Sequence, residues 1–520
     1  MRSRLERTSA LAAVVGLAVA LVAACSSTSE SEGETAPTTT TAMDTPSADV
    51  VLSVSGEVVA ELDERYQSYN VEMVEVTGGE FWPPYSAGGA KITRPPIDLS
   101  NERLRNMARG LGPAYIRVSG SWANATLFDP DGSTGGVAPE GFRSILTADQ
   151  WRGVGEFAHA VDGLVVTSFP SSPGTRDETG AWVPDKAKVR EFLRFSLDED
   201  IPVVAVELFN EPTLPPGMPT GYTADGFARD VAALDPVVDE VMPELDLVGP
   251  GSAAEARALV INAAFGSAEI LERTGPVFDV FSYHAYPKVS ERCGSTEGSE
   301  IALSPEFLGR VPADADYFRG VRDAHLPGAP MWITETAQAA CGGDRWAATY
   351  RDVIRYVDTL GRLAVGDGDV VFHNTLAASD YGLIDEDGFE PRPNYWAAVL
   401  WAKLMGPSVL APSAETNVAD LAVYAHCTPP AADEPGATYA VVNSSATETR
   451  TATTASGKAT VYLLTGENLD GMGASLNGDV LEVAEDGALP ELAGRQSSGA
   501  IEVPPASVAF VIDPDAEACR

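Results

Sequence analysis

Eight short runs rich in valine, isoleucine and aromatic residues recur between residues 68 and 376, with longer stretches of helical texture between them. The runs are 68–76, 114–119, 163–168, 203–209, 245–249, 277–283, 331–334 and 369–376. Nearly continuous apolar runs of this length suit strands buried on both faces, as in a parallel sheet covered by helices. The helical stretches include 101–111, 148–161, 188–198, 226–241 and 345–363, with Ser100 and Thr147 placed to cap the first two. Eight strand–helix units in one segment predict an α/β fold, a (β/α)8 TIM barrel over residues 67–406.

After the helical stretch 397–405 the texture changes. Residues 407–520 are rich in Thr, Val and Gly, with short alternating runs at 419–425, 438–442, 460–464 and 507–512. This pattern predicts a C-terminal β-sandwich domain. The early run 50–59 has no helix after it, so residues 49–66 are expected to add a strand to that domain.

The N-terminus reads as a targeting segment. Arg2, Arg4 and Arg7 precede an apolar stretch that is too short to be a convincing membrane span. Val22-Ala23-Ala24 before Cys25 is similar to a bacterial lipobox, so residues 1–24 are expected to be a lipoprotein signal and Cys25 the lipidated residue. Residues 25–48, dominated by Ser, Thr, Glu, Ala and Pro, cannot bury enough apolar surface to fold and read as a disordered tether. The expected location is the outer face of the cytoplasmic membrane, held through the lipid alone.

Composition narrows the partners. A formal charge of −40, from 75 acidic against 35 basic residues, argues against nucleic acid and against extended attraction to a polyanion. With Cys25 set aside, Cys293, Cys341, Cys427 and Cys519 suffice for two disulfides, for which sequence alone allows three pairings.

In such barrels the C-terminal strand ends carry the chemistry. The fourth run ends Asn210-Glu211-Pro212 and the seventh ends Thr334-Glu335-Thr336. A glutamate at each tip is what glycoside hydrolysis requires, one carboxyl to protonate the leaving oxygen and one to attack the anomeric carbon. Asn210 is expected to hydrogen-bond the sugar 2-hydroxyl, and Tyr286 to stack on sugar or hydrogen-bond the nucleophile. Ser121, Asn124 and Glu75 are weaker candidates for sugar hydroxyls. His284 and His373 lie near strand ends without a metal-binding spacing, and no dinucleotide, phosphate-loop or serine-elbow motif appears. No metal or cofactor is expected.

Several stretches resemble glycoside hydrolase family 79, the heparanase and β-glucuronidase kind. They are Leu104 through Arg109-Gly110-Leu111-Gly112-Pro113-Ala114-Tyr115-Ile116-Arg117, then Tyr381-Gly382-Leu383-Ile384-Asp385 and Asn394-Tyr395-Trp396. Leu421-Ala422-Val423-Tyr424-Ala425-His426-Cys427, Ser475-Leu476-Asn477-Gly478 and Ala488-Leu489-Pro490 follow in the same order. The resemblance implies a retaining double displacement on β-linked glucuronic acid, with Glu211 as acid/base and Glu335 as nucleophile. It assigns Tyr381 and the loop Cys341-Gly342-Gly343 to the uronate carboxylate, with Cys341 standing where the family has glycine. It also implies the pairings Cys427–Cys519 and Cys293–Cys341. Because basic residues are few, a less charged glucuronide is expected in place of heparan sulfate. Two other readings are a non-catalytic surface carbohydrate-binding protein and a retaining barrel glycosidase acting on neutral β-glycans.

Overall fold

The computed structural model describes residues 48–88, 90–257, 262–366, 368–412, 418–430, 432 and 434–519. The expected signal, lipidation site Cys25 and tether up to residue 47 lie outside the described residues. Among those described, no helix is long and apolar enough to cross a membrane.

The eight expected strands form a closed parallel barrel. In order they are Gln67–Asn70, Ala114–Val118, Gly163–Ser168, Val203–Glu207, Asp246–Ser252, Val280–His284, Met331–Thr336 and Val370–His373. Each pairs in parallel with the next, and the eighth closes on the first. Val166, Ala205, Val248, Val280, Trp332, Val370 and Phe372 form one apolar cluster in the barrel. Two residues further along from Ala205, Val280 and Trp332, and from Tyr115 that packs against them, stand Glu207, Ser282, Thr334 and Arg117, on the same face by the two-residue period of a strand. The core therefore turns polar towards the C-terminal end, where the site lies.

The first strand is shorter than its apolar run suggests. It stops at Asn70, and Met73–Thr77 is a helical turn. Glu72 caps that turn and Glu75 reaches back to the Glu72 backbone N–H, a reciprocal capping box. The valines of this stretch thus serve a helical face. Thr147 caps Ala148–Ala160 as expected, whereas Glu102–Arg109 is capped by Asn101, not Ser100.

Residues 48–519 form one compact unit in which a β domain packs beside the barrel. Val54–Glu61 leads a nine-stranded sheet that continues through Ser408–Pro412, Leu421–Cys427, Ala437–Asn443 and Ser507–Asp513. A second sheet joins Val50–Leu52, Arg450–Thr454 and Ile501–Val503. The N-terminal segment thus pairs into the β domain, and Tyr439, Val441, Ala509 and Val511 face the small sheet across a shared core. The alternate residues Ala440, Val442, Val508 and Phe510 join the barrel's core, so the large sheet is buried on both faces. Cys427–Cys519 bridges the ends of this domain.

Candidate active site

Arg117 organises the site from inside strand two. Its side chain is 1% exposed, and its Nε and Nη2 donate to Glu207 Oε2 at 2.9 and 2.7 Å. Its Nη1 donates to Glu335 Oε1 at 2.9 Å, and Nη2 also donates to Asn210 Oδ1 at 2.9 Å. A buried cation persists only when carboxylates surround it, and Glu207 and Glu335 hold Arg117 charged. One guanidinium thus fixes strands two, four and seven and the orientation of Asn210.

The two candidate glutamates meet across His284. Its Nδ1 lies 3.1 Å from Glu211 Oε1 and 3.5 Å from Glu335 Oε2. Its Nε2 faces Arg117 Nη2 at 3.4 Å. A guanidinium only donates, so in the neutral imidazole this Nε2 accepts and Nδ1 carries the proton towards the glutamates, and in the charged form Nδ1 still donates to them. Burial opposes a charge on His284, but Glu335 and Glu211 outweigh it and raise its pKa. Burial also pushes the Glu335 carboxyl up. The charges of His284 and Arg117, with hydrogen bonds from Tyr286 and Arg117, overcome this and hold it below the usual carboxylate range. Glu211 is the more exposed, 18% against 7%, and stands in the left-handed region at φ 48°. One ligand atom each from Glu211, His284 and Glu335 lies within 4.8 Å of the others, a spacing that a metal ion can bridge. The Arg117 cation against Glu335 and His284 opposes a metal ion there.

A pocket of about 500 Å³ opens over this pair. Glu211, Glu335, Asn210, Tyr286, Tyr381, Cys341, Ser121 and Asn124 all line it. Tyr286 donates to Glu335 Oε2 at 2.9 Å and accepts from Asn374 Nδ2 at 2.9 Å. Burial and the neighbouring carboxylates push Tyr286 and Tyr381 well above the usual phenol range, so both stay protonated as donors. Asn124 brackets the backbone of Asn210, donating to its carbonyl at 2.8 Å and accepting from its N–H at 3.0 Å. Its side chain is therefore engaged in holding the loop that carries Glu211.

Three expected site residues stand elsewhere. Glu75 turns away to cap the helical turn, and Glu72 takes its place in the pocket wall. Burial pushes the Glu72 carboxyl well up, with Glu335 and Glu75 adding to the shift and Arg117 opposing it. Gly342 and Gly343 lie behind the wall, where Cys341 is the loop's lining residue. The Gly342 carbonyl accepts from Arg292 at 3.0 Å and Ser379 at 2.9 Å, and Gly343 packs beneath Tyr381. Cys341 is bridged to Cys293. The adjoining Arg292 pairs with Asp380 at 2.8 Å and stacks 3.8 Å from the Tyr85 ring centre.

Glu72, Glu207, Asn374 and Arg292 carry no motif in the sequence, and Arg117 ends a stretch that resembles family 79 without any role assigned to it. The signal for Arg117 is a charged residue inside the strand Ala114–Val118, at a position whose neighbours are otherwise apolar or aromatic.

Comparison with known proteins gives first a class. The fold is similar to that of a 4-O-α-L-rhamnosyl-β-D-glucuronidase from Fusarium oxysporum, at TM-score 0.62 and 15% identity, over 89% of this chain and 99% of that one. At that identity the likeness speaks to fold alone: a (β/α)8 barrel with a β domain. Sequence relatives are more particular. Heparanase-like protein 1 of Arabidopsis thaliana is 27% identical over 357 residues, 64% of this chain and 62% of that protein. Baicalin-β-D-glucuronidase of Scutellaria baicalensis is 23% identical over 508 residues, 89% of this chain and 91% of that protein. Inactive heparanase-2 of Homo sapiens is 23% identical over 81% of this chain and 84% of its own length. No family model matches the chain.

Proposed function

We propose that this chain is a retaining glycoside hydrolase that releases β-linked glucuronic acid, with Glu335 as nucleophile and Glu211 as acid/base. The carboxylate geometry carries the reading. One oxygen from each glutamate lies within 4.8 Å of the other's and both carboxyls reach the one His284 Nδ1, at 3.1 and 3.5 Å, which is the arrangement of a closely set pair. Carboxyl pairs about 5 to 5.5 Å apart suit direct attack, whereas about 6.5 to 9.5 Å leaves room for an inverting water. The surroundings divide the roles. Glu335 is held ionised and aimed by Arg117 and Tyr286, as a nucleophile must be. Glu211 is the more open to the pocket, as suits a group that exchanges a proton with leaving group and water.

In the first step Glu335 attacks C1 as Glu211 gives its proton to the glycosidic oxygen, and the C1–O bond breaks. A glycosyl ester on Glu335 remains. Glu211, now a carboxylate, takes a proton from water, which attacks C1 and frees Glu335. Tyr381 and the Cys341 loop supply the wall for the uronate carboxylate. The Scutellaria relative, named as a glucuronidase, supports that sugar.

The test is release of chromophore from a nitrophenyl β-glucuronide by protein starting near residue 49. Glu211→Gln and Glu335→Gln are each expected to lower kcat by about 10²-fold to 10⁴-fold or more. Equal rates on the matching β-glucoside would count against uronate specificity. The relation to an inactive heparanase favours one rival, a surface carbohydrate-binding protein. That rival predicts no turnover by the parent chain and unchanged glucuronide binding in Glu335→Gln. Export by residues 1–24 and lipidation at Cys25 belong to the same proposal. Cys25→Ala should move the full-length protein from the detergent phase to the aqueous phase on phase separation.

A further inference from the structure

A disulfide stands in the wall of the pocket, where the reaction over Glu211 and Glu335 makes no use of it. Cys293 and Cys341 both line the pocket and each is half-buried, so a small molecule entering the pocket reaches the bridge. Cys293 ends the short turn Glu291–Cys293 in the loop after strand six, and Cys341 stands in the loop after strand seven. The other bridge, Cys427–Cys519, belongs to the β domain and lines no part of this pocket.

The two loops are joined by much else. The Ala340 N–H donates to the Lys288 carbonyl at 3.0 Å, and the Ser290 N–H to the Ala340 carbonyl at 3.0 Å. The buried Lys288 ammonium pairs with Asp344 at 2.8 Å, and Asp344 also accepts from the Glu291 N–H at 2.9 Å. These bonds keep the loops together whether or not the sulfurs are joined. The bridge adds a local constraint. Cys341 stands at φ 63°, a left-handed conformation that side chains disfavour. Arg292, next to Cys293, ties its turn to Asp380 at 2.8 Å and to the Gly342 carbonyl at 3.0 Å. Asp380 adjoins Tyr381, and a Cβ on Gly343 would lie 3.0 Å from the Tyr381 Cβ. Opening the bridge frees Cys341 to leave the left-handed region, and the shift reaches Tyr381 through Gly343 and Asp380.

We propose that Cys293–Cys341 is a reducible switch in the pocket wall, joined for tight binding of the glucuronide and opened by a dithiol. A thiolate of the dithiol attacks one bridge sulfur, the S–S bond breaks, and the other cysteine leaves as a thiolate that takes up a proton. The second thiol of the reductant then displaces the first protein sulfur. The protein ends with both cysteines as thiols, having gained a pair of electrons and a pair of protons, and the reductant ends as its disulfide. The inference rests on reading the pocket as the glucuronide site, and it adds that thiol status sets substrate affinity there. The bonds between the loops preserve the fold in either state.

The experiment follows hydrolysis of nitrophenyl β-glucuronide by the parent chain as oxidised protein, after dithiothreitol and after reoxidation. Reduction is expected to raise KM about three-fold to ten-fold, the scale of one lost hydrogen bond, with a smaller effect on kcat, and reoxidation to reverse it. Alkylation and peptide mass should locate new thiols at Cys293 and Cys341. Cys293→Ser with Cys341→Ser should show the raised KM from the outset and no response to the dithiol. An unchanged KM in protein whose mapped thiols include Cys293 and Cys341 overturns the proposal, as does a bridge that the dithiol leaves closed in folded protein. A response that persists in the double variant also overturns it, because Cys427–Cys519 is then the source. Reduction and reoxidation of the parent decide the matter even where the double variant folds poorly. A second readout needs no turnover. Trp82 touches the loop, its Cβ 2.9 Å from where a Gly342 Cβ would stand and its ring centre 5.9 Å from the Arg292 guanidinium. Its emission is expected to change on reduction, and Trp82→Phe to remove that change. A chain that shows this change yet turns over no glucuronide supports the switching loop and counts against the glucuronidase reading alone. Turnover with neither KM nor emission altered by reduction overturns the switch alone.

Discussion

At the scale of single residues, the two glutamates proposed as catalytic could be picked out in the sequence and most of the groups that hold them could not. Glu211 and Glu335 stand out because each follows an apolar run at the C-terminal end of a barrel strand, where the chemistry of such barrels lies. Arg117 is a lone charge within an apolar strand, which marks it as unusual but does not say that it touches Glu207, Glu335 and Asn210 at once. Arg117→Lys keeps the charge but cannot span three partners. It should lower kcat/KM by about 10²-fold or more and reduce unfolding free energy by about 3 kcal/mol, because Glu207 is left buried without its partner. Tyr286→Phe should behave differently. It removes one donor from Glu335 while Arg117 remains, so kcat should fall about ten-fold with under about 1.5 kcal/mol of destabilisation. Steady-state kinetics beside urea unfolding separates the two. Parental stability in Arg117→Lys would mean that Glu207 finds another partner.

At the scale of elements, the barrel strands were readable from composition because burial on both faces leaves little choice of residue. The hairpin Gly79–Phe81 with Ile92–Arg94 was not, since its apolar residues are interrupted by Pro83-Pro84 and show no two-residue period. Glu75 was misplaced for a related reason: valines suggested a strand where a capping box makes a helical turn. The loop after strand seven shows why Cys341 departs from glycine. Cys341, Gly342 and Gly343 have φ of 63°, 80° and 75°, a left-handed run that disfavours a side chain. Cys341 adopts it as one end of the bridge to Cys293, which ties the loop to the segment carrying Arg292. Replacing both cysteines with serine should raise KM for the glucuronide several-fold with a smaller effect on kcat. It should also reduce stability by about 2 to 4 kcal/mol, as expected for a closed loop of this separation (48 residues). An unchanged KM would place the bridge outside substrate binding.

At the scale of the whole molecule, the barrel and β domain are joined too closely to unfold apart. Gly361 in the helix Arg351–Val365 is glycine because a Cβ there would lie 2.1 Å from the Tyr424 ring of the β domain. Nearby, His426 donates from Nδ1 to the Gly406 carbonyl at 2.7 Å and packs 5.4 Å from Trp401. Its Nε2 is buried without a partner, so a proton added there would be an unsatisfied charged donor. Burial accordingly pushes the His426 pKa down to about 4. The unfolded chain takes up this proton near pH 6.5 and the folded chain does not, so His426 favours unfolding progressively as pH falls from about 6.5 to 4 and has no such effect above 7. Glu75 acts in the opposite sense. Burial pushes it up to about 8, so its folded form keeps a proton that the unfolded chain loses above about 4.5, and acidification through that range favours folding. The parental profile is a difference between such groups, and a variant is needed to isolate one. His426→Asn retains a donor near the Nδ1 position and cannot titrate. Relative to the parent, its unfolding free energy should gain about 1.4 kcal/mol for each pH unit between 6 and 4, with a constant offset above pH 7. Urea unfolding at half-unit pH steps measures this, and parallel parent and variant curves would mean that His426 is protonated in the folded chain.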